Sequence, residues 1–329
     1  MPENKQIKVA VIGTGGWGYQ HARVFKDRED VHLCAIVGRN SEKTKVRAEL
    51  FATKAYTNIE KMLEMEQPDL VSICLPNQQH FAPTLQVIQA GFPLLVEKPI
   101  AFELEEAEIL LNEADKRNLF FAINFNHRYA KPVQLAYDAM KNGEIGDVSF
   151  VSWRFGGEGS SNHPYANLIE TQCHGFDMLE HLCGPIKSVM AEMADITGGG
   201  FQTMSLSLRF ESGAVGNLIG TYESSYAYPE THRVEINGIK GRSVIYDTVK
   251  KYSFHSTGSE FGEVWEAGYF NDPNREFHKT FDRHIDALLE ALKSGKPAPV
   301  HAEAGYRALK IAYAAIKSFH SGMRIEISE

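Results

Sequence analysis

The feature that most limits how this chain can fold is its opening, where an apolar run, Ile7 to Ile12, passes directly into Gly13-Thr14-Gly15-Gly16-Trp17-Gly18. A strand that ends in G-x-G-x-x-G and continues as a helix is the first turn of a dinucleotide-binding unit. The first glycine allows the tight turn, the second lets the backbone approach a pyrophosphate, and the third lets helix and strand pack. The helix N-terminus then faces the anion. Alone the pattern is weak; its position after the first strand is what gives it value. Four more apolar runs, VHLCAIV, DLVSICL, PLLVE and LFFAIN, follow up to about Asn124. The stretches between them are long enough for crossover helices, which predicts a parallel, doubly wound sheet. One such helix is expected over Glu103 to Asn118, where Leu104, Ala107, Leu111 and Ala114 share a face.

Past Asn124 the pattern changes. Helices are expected near Lys131 to Lys141 and Leu168 to Cys183, then short alternating runs between about Ile186 and His255, read as mostly antiparallel strands. Glu211-Ser212-Gly213 and Asn237-Gly238 look like hairpin loops. Two helices, Asn274 to Ser294 and His301 to Ser321, close the chain on either side of Pro297 and Pro299. In the last, Ala308, Ala312, Ala315 and Phe319 form a narrow stripe suited to close packing. At roughly 150 residues per domain, the 329 residues divide into a nucleotide-binding domain, 1–124, and an α+β domain, 125–329. The second carries a large, mostly antiparallel sheet, and the last helices are expected to pack back on the first domain. The fold class is α/β.

Composition excludes other classes. With 43% hydrophobic and 23% charged residues the chain is not disordered, and a formal net charge of -8 offers no basic surface for nucleic acid. No run approaches the ~18 apolar residues of a membrane span. The start, MPENKQIKVAVIG, has no leader pattern, so a cytoplasmic location is expected. The four cysteines lie far apart, Cys34 and Cys74 inside apolar runs, as buried reduced thiols do.

The second strand ends in Gly38-Arg39-Asn40-Ser41, where an NAD site usually has an acidic residue for the ribose hydroxyls. Arg39 can pair with a 2′-phosphate, which favours NADP over NAD; it can also stack on adenine or be solvated. The next two strands end in Leu75-Pro76-Asn77-Gln78-Gln79-His80 and Glu97-Lys98-Pro99, where ligands of open parallel sheets lie. A lysine beside a cationic ring can have its pKa pulled toward neutrality, so Lys98 can relay or stabilise the proton of a reacting hydroxyl. Between Asn167 and Ile186 there is no lysine or arginine, while Glu170, His174, Asp177 and His181 recur at spacings of four, three and four. Phe176, Leu179 and Leu182 lie on another face, so the polar stripe is read as facing a cleft.

GTGGWG, LPNQQH, VEKP, NFNHRY and HGFDMLEHLCG together resemble the Gfo/Idh/MocA oxidoreductases, over nearly the whole chain. The resemblance implies a Rossmann nucleotide domain and an NAD(P)-dependent dehydrogenase acting on a secondary hydroxyl of a sugar or cyclic polyol, such as an inositol. It implies that Lys98 reaches the reacting hydroxyl, with Glu97 and a cis peptide before Pro99 holding the turn. The family's DxxxHxxD segment matches Glu170, His174 and Asp177: His174 resembles the general base, Asp177 binds a neighbouring hydroxyl, and Glu170, longer than the usual aspartate, orients the imidazole. The nucleotide would lie against Gly13 to Gly18, Arg39, Asn40, Ser41, Leu75, Pro76, Asn77, His80, Glu97 and Lys98. Arg128, His163, Tyr226, Tyr228 and His232 are further pocket candidates, and a homodimer or homotetramer is implied. Two other readings stay open: a zinc site from Cys173, His174, Asp177, His181 and Cys183, and a non-catalytic NAD(P)-binding sensor. The sensor would need no Lys98 and His174.

Overall fold

The computed structural model describes residues 6–159, 162–268 and 273–327, without the side chains of 273–276. Residues 1–5, part of the start read for a leader, lie outside them. Internal contacts divide the chain into two units: Met1–Phe125 with Phe281–Tyr306, and Asn126–Thr280 with Arg307–Glu329.

In the first unit β1 (Ile7–Ile12), α1 (Gly16–Lys26), β2 (Val31–Val37), α2 (Ser41–Leu50), β3 (Lys54–Tyr56), α3 (Ile59–Glu66), β4 (Leu70–Ile73), α4 (Phe81–Gln89), β5 (Leu94–Val96), α5 (Leu104–Asp115) and β6 (Phe121–Ile123) alternate along the chain. The six strands pair in the order β3-β2-β1-β4-β5-β6, all parallel. Helices cover both faces of such a sheet, so β4, β5 and β6 are buried at every residue and read as unbroken apolar runs. β3 escaped the sequence because it is an edge strand of three exposed or half-buried residues, KAY, with no apolar signal. Asn40 caps α2, its Oδ1 accepting from the Lys43 N–H at 2.9 Å. α5 is shorter than expected at both ends, and it buries Leu110 beside Ala107, Leu111 and Ala114 while Leu104 is only half-buried.

The second unit contains α6 (Lys131–Lys141), β7 (Val148–Gly156), α7 (Cys173–Cys183), β8 (Ile186–Ala194), β9 (Thr203–Phe210), β10 (Val215–Thr221), β11 (His232–Gly238), β12 (Gly241–Tyr246), β13 (Lys251–Ser256) and β14 (Gly262–Glu266). α8 (Pro273–Lys293), α9 (Glu303–Ser321) and β15 (Ile325–Glu326) end the chain. Nine strands form one sheet, β14-β13-β12-β11-β7-β10-β9-β8-β15, antiparallel except where β7 pairs with β10. Strict alternation of burial along β9 and β11 shows one face packed and the other open. β7, missed in the sequence, is a central strand whose Trp153 is fully buried.

Gly213, with φ +91, makes the β9–β10 hairpin as expected. Asn237 and Gly238 do not form a loop: they end β11, and the turn is Ile239-Lys240. Glycine is needed at 238 for close approach, since a Cβ there would lie 2.3 Å from the Ile145 carbonyl oxygen. In α9, Ala308, Ala312 and Ala315 are buried as the stripe requires, and Phe319 half so. All four cysteines are free. Among the described residues no helix is long and apolar enough to cross a membrane.

Candidate functional site

The glycines of the loop after β1 divide the work. Gly13 has φ +135 and a Cβ there would meet the Cys74 carbonyl oxygen at 2.1 Å, while one at Gly18 would meet the Gly13 oxygen at 2.3 Å. Those two close the turn and seat α1 on the sheet. At Gly15 and Gly16 nothing lies within 4 Å of the Cβ position. α1 starts there without a side-chain cap or an acidic residue in its first turn, so its leading N–H groups are available to an anion. Arg47 donates to the Thr14 carbonyl at 3.2 Å and lies over the Tyr19 ring, steadying the loop from α2. Trp17 is 43% exposed and stacks on Phe281 at 5.5 Å.

Beside the loop a cleft of about 400 Å³ runs along the C-terminal ends of β1, β2 and β4. Ile12, Val37, Ile59, Phe81 and Pro83 supply apolar walls, and Arg39, Gln78 and Glu106 supply polar ones. Apolar walls with a few polar groups suit an adenosine. With the open space over Gly15 and Gly16, the described residues fit a dinucleotide. Arg39 stands in the cleft wall, exposed, whereas Asn40 spends its Oδ1 on α2 and Ser41 opens that helix.

Two turns flank the next strand ends. Leu75, Pro76 and Asn77 lead into a single 3-10 turn, Asn77–Gln79. His80, which follows, is 1% exposed with Nδ1 2.7 Å from the Pro99 carbonyl oxygen and Nε2 2.8 Å from that of Leu75. Its ring therefore clamps the two turns together, and burial pushes its pKa down against the pull of those carbonyls. The Lys98-Pro99 peptide is cis, as the resemblance implied, and Lys98 is half-buried.

Glu97 points inward. His21 Nε2 donates to Glu97 Oε1 at 2.8 Å, Asn124 Nδ2 donates to the same oxygen at 2.7 Å, and the Lys98 N–H reaches Oε2 at 3.2 Å. Burial disfavours the charge on both partners, but pairing wins: Glu97 is held below the usual carboxylate range by His21, and Cys74 and Glu97 raise His21 to about 10. Neither His21 nor Glu97 was legible as a pair in the sequence, because 76 residues separate them.

In the second unit the expected single helix is two segments. A π-helical turn, Asn167–Thr171, precedes α7, so Glu170 does not continue the α-helical stripe of His174, Asp177 and His181. Glu170 lies near Tyr222, whose hydroxyl bonds Thr171 at 2.6 Å and whose pKa is pushed up by burial and then by the Glu170 charge. The seven residues Cys173 to Asp177, Met178 and Leu179 are all buried, so His174 and Asp177 of the polar stripe do not face solvent. Gly175 explains the close packing: a Cβ would lie 2.7 Å from the Trp153 ring.

The basic residues absent from this segment arrive from elsewhere. Arg128, in the 3-10 turn Asn126–Tyr129, forks onto Asp177 at 2.9 and 2.5 Å, and Arg307 of α9 bonds Glu180 at 3.0 Å. Burial lifts the Asp177 carboxyl above its usual range, and the guanidinium opposes that lift. His181 stacks on Tyr137 at 4.7 Å, and burial, then Arg128, pushes it down to about 4. His174 stacks face to face on His127, centroids 4.0 Å apart and planes within 6°. His127, unnoticed in the sequence, is the second residue of that same 3-10 turn.

The remaining pocket candidates separate. His232 is buried beside Trp153 and Phe155, its Nδ1 contacts the Thr248 hydroxyl at 2.5 Å, and its ring stands edge-on to His127 at 6.1 Å, next to the His127–His174 stack. Tyr226 and Tyr228 are 60% and 63% exposed. His163 Nδ1 accepts from the Tyr165 N–H at 3.2 Å. Among the described residues no group of three or more His, Cys, Asp or Glu is arranged to hold a metal ion.

Residues 7–125 match the model of an oxidoreductase family with an NAD-binding Rossmann fold, and residues 131–327 match that family's C-terminal α/β domain. The myo-inositol 2-dehydrogenase of Thermotoga maritima is 24% identical over 336 residues, covering 98% of this chain and 99% of its own. The scyllo-inositol 2-dehydrogenase (NAD(+)) of Bacillus subtilis is also 24% identical, over 350 residues, covering 98% and 96%. A levoglucosan dehydrogenase solved with NADH and levoglucosan superposes with a TM-score of 0.88 at 18% identity, over 99% of this chain and all of that one.

Proposed function

The chain belongs to the Gfo/Idh/MocA oxidoreductase family, and on that premise we propose that it oxidises a secondary hydroxyl of a sugar or cyclic polyol, or reduces the matching ketone. The observation that carries the reading is the half-buried Lys98 on a turn clamped by His80, at the strand ends beside a glycine loop and cleft that fit a dinucleotide. The inositol and levoglucosan dehydrogenases among its relatives support the substrate class. When bound, the nicotinamide accepts the hydride from the carbinol carbon. His174 takes the hydroxyl proton as general base, Lys98 holds and relays that proton at the reacting oxygen, and Glu170 orients the His174 imidazole. We assign Asp177 and Arg128 to shaping this site as a pair. His163 and Tyr228 are assigned to substrate binding.

The same proposal includes the cofactor preference. Arg39 in the cleft wall, with no acidic residue at that strand end, favours NADP. Free cysteines fit a reducing cytoplasm. Phe150, Val215 and Ile219 are 39%, 52% and 43% exposed on the large sheet, which supports a homodimer or homotetramer built on that face.

The test is a panel of inositols and sugars with each nucleotide, read at the absorbance of the reduced nicotinamide. At least one cyclic polyol or sugar should reduce NADP+ faster than NAD+. Arg39→Ala should narrow the difference in nucleotide affinity by about ten- to a hundredfold, the loss of one charge-assisted phosphate contact of about 1.5–3 kcal/mol. Tenfold tighter binding of NAD by the unmodified protein would overturn the preference.

A further inference from the structure

One buried network in the first unit touches the nucleotide loop's helix and the lysine turn alike. His21 lies on α1, three residues past Gly18, and is 1% exposed. Its Nδ1 is 2.8 Å from Ser72 Oγ on β4, and its Nε2 is 2.8 Å from Glu97 Oε1 at the end of β5. Asn124, just past β6, donates to the same carboxylate oxygen and accepts from His284 Nδ1 of α8 at 2.7 Å. Phe25 and Phe281 flank the His21 ring, the latter edge-on at 5.5 Å. Glu97 has one oxygen on His21 and Asn124 and the other on the Lys98 N–H. The carboxylate is thus held by α1 through His21, by the end of β6 through Asn124 and by the N–H of its own neighbour, and the residue it holds in turn is Lys98.

We propose that His21 is a positioning residue: through Glu97 it sets the backbone of the Lys98 turn, so that the helix holding the nucleotide's phosphates also places the proton-transfer lysine. The inference rests on the proposed role of Lys98 and assigns no contact with nucleotide or substrate to His21. The physical case is the cost of the alternative. A buried carboxylate that loses His21 keeps Asn124 Nδ2 at 2.7 Å and the Lys98 N–H at 3.2 Å, and tightening the longer of these two contacts moves the backbone that carries Lys98. A lysine amine displaced by about 1 Å from the reacting oxygen loses up to about 10²-fold in rate.

The experiment is a double-mutant cycle between position 21 and Lys98. His21→Leu removes both ring contacts; because it strands Glu97 in the interior, His21→Gln with Glu97→Gln serves as the neutral pair that keeps the fold. Measured are kcat and KM on the identified substrate, nucleotide Kd by calorimetry, and the melting temperature. A folded position-21 variant should lose kcat by about 10- to 100-fold while nucleotide Kd moves by less than about threefold. His21→Gln alone, whose amide can still reach Glu97, should recover part of the loss. Placed in the Lys98→Ala background the same change should cost less than about twofold, because two residues acting as one unit are not additive. A purely structural role would lower the melting temperature and cost the same factor in both backgrounds, which would overturn the inference, as would unchanged kcat in either position-21 variant. Full activity of Lys98→Ala would instead remove the role of Lys98 and the inference with it.

Discussion

Replacing Lys98 or His174 by alanine is expected to cut turnover by about 10²–10⁴ while nucleotide affinity stays within about threefold of the unmodified protein. Both residues are proposed to act on the reacting hydroxyl, so their loss falls on chemistry. The cleft lined by Ile12, Val37, Arg39 and Phe81 and the glycine loop are untouched by either change. His174→Ala also removes one ring of the His127–His174 stack, a contact of the order of 1 kcal/mol in aromatic pairs, which the fold can lose without collapse. Steady-state kinetics with calorimetry on the same samples separates the two quantities. If either variant turns over at a near-normal rate, that residue has no part in proton transfer.

A second large effect is expected in stability. The Asp177 side chain is 2% exposed and that of Arg128 19%, with two hydrogen bonds between them. Removing one member leaves a buried charge unpaired, so Asp177→Ala or Arg128→Ala should destabilise the protein by about 3–5 kcal/mol, far above the ~0–1 kcal/mol of a surface pair. Replacing both with apolar residues of similar volume, Asp177→Leu with Arg128→Met, should recover most of that loss. Denaturant unfolding measures all three. A loss below about 1 kcal/mol in the single variants would place the pair in a solvated site and return Asp177 to the substrate as its only partner.

What the sequence disclosed and what it withheld divide along physical lines. The glycine loop was legible because a tight turn and a close helix–strand approach each demand glycine at one spacing, and the structure puts a carbonyl oxygen within 2.3 Å of the Cβ positions at 13 and 18. The parallel strands were legible because burial on two faces leaves unbroken apolar runs. The short edge strand β3 carries neither signal. β7 alternates cleanly only over Val151 to Phe155, a short signal for a nine-residue strand. The absence of basic residues from 167–186 was read as a cleft-facing stripe, yet local sequence cannot show that Arg128 and Arg307 are brought in by tertiary packing. The π turn that sets Glu170 off the stripe leaves no mark in a pattern of threes and fours. For the same reason the His127–His174 stack and the His21–Glu97 pair, 47 and 76 positions apart in sequence, appear only when the chain between them has folded.

The central claim, hydride transfer from a secondary carbinol carbon, is tested most directly by following the atom itself. A cyclic polyol or sugar that reduces the nucleotide in the panel is supplied with deuterium on the carbinol carbon, and the reduced nucleotide is collected and weighed by mass spectrometry. The account predicts reduced nucleotide one mass unit heavier, with the deuterium on the nicotinamide ring and none lost to water. Reduced nucleotide without the label, or no reduction with any secondary alcohol of the panel, would contradict it.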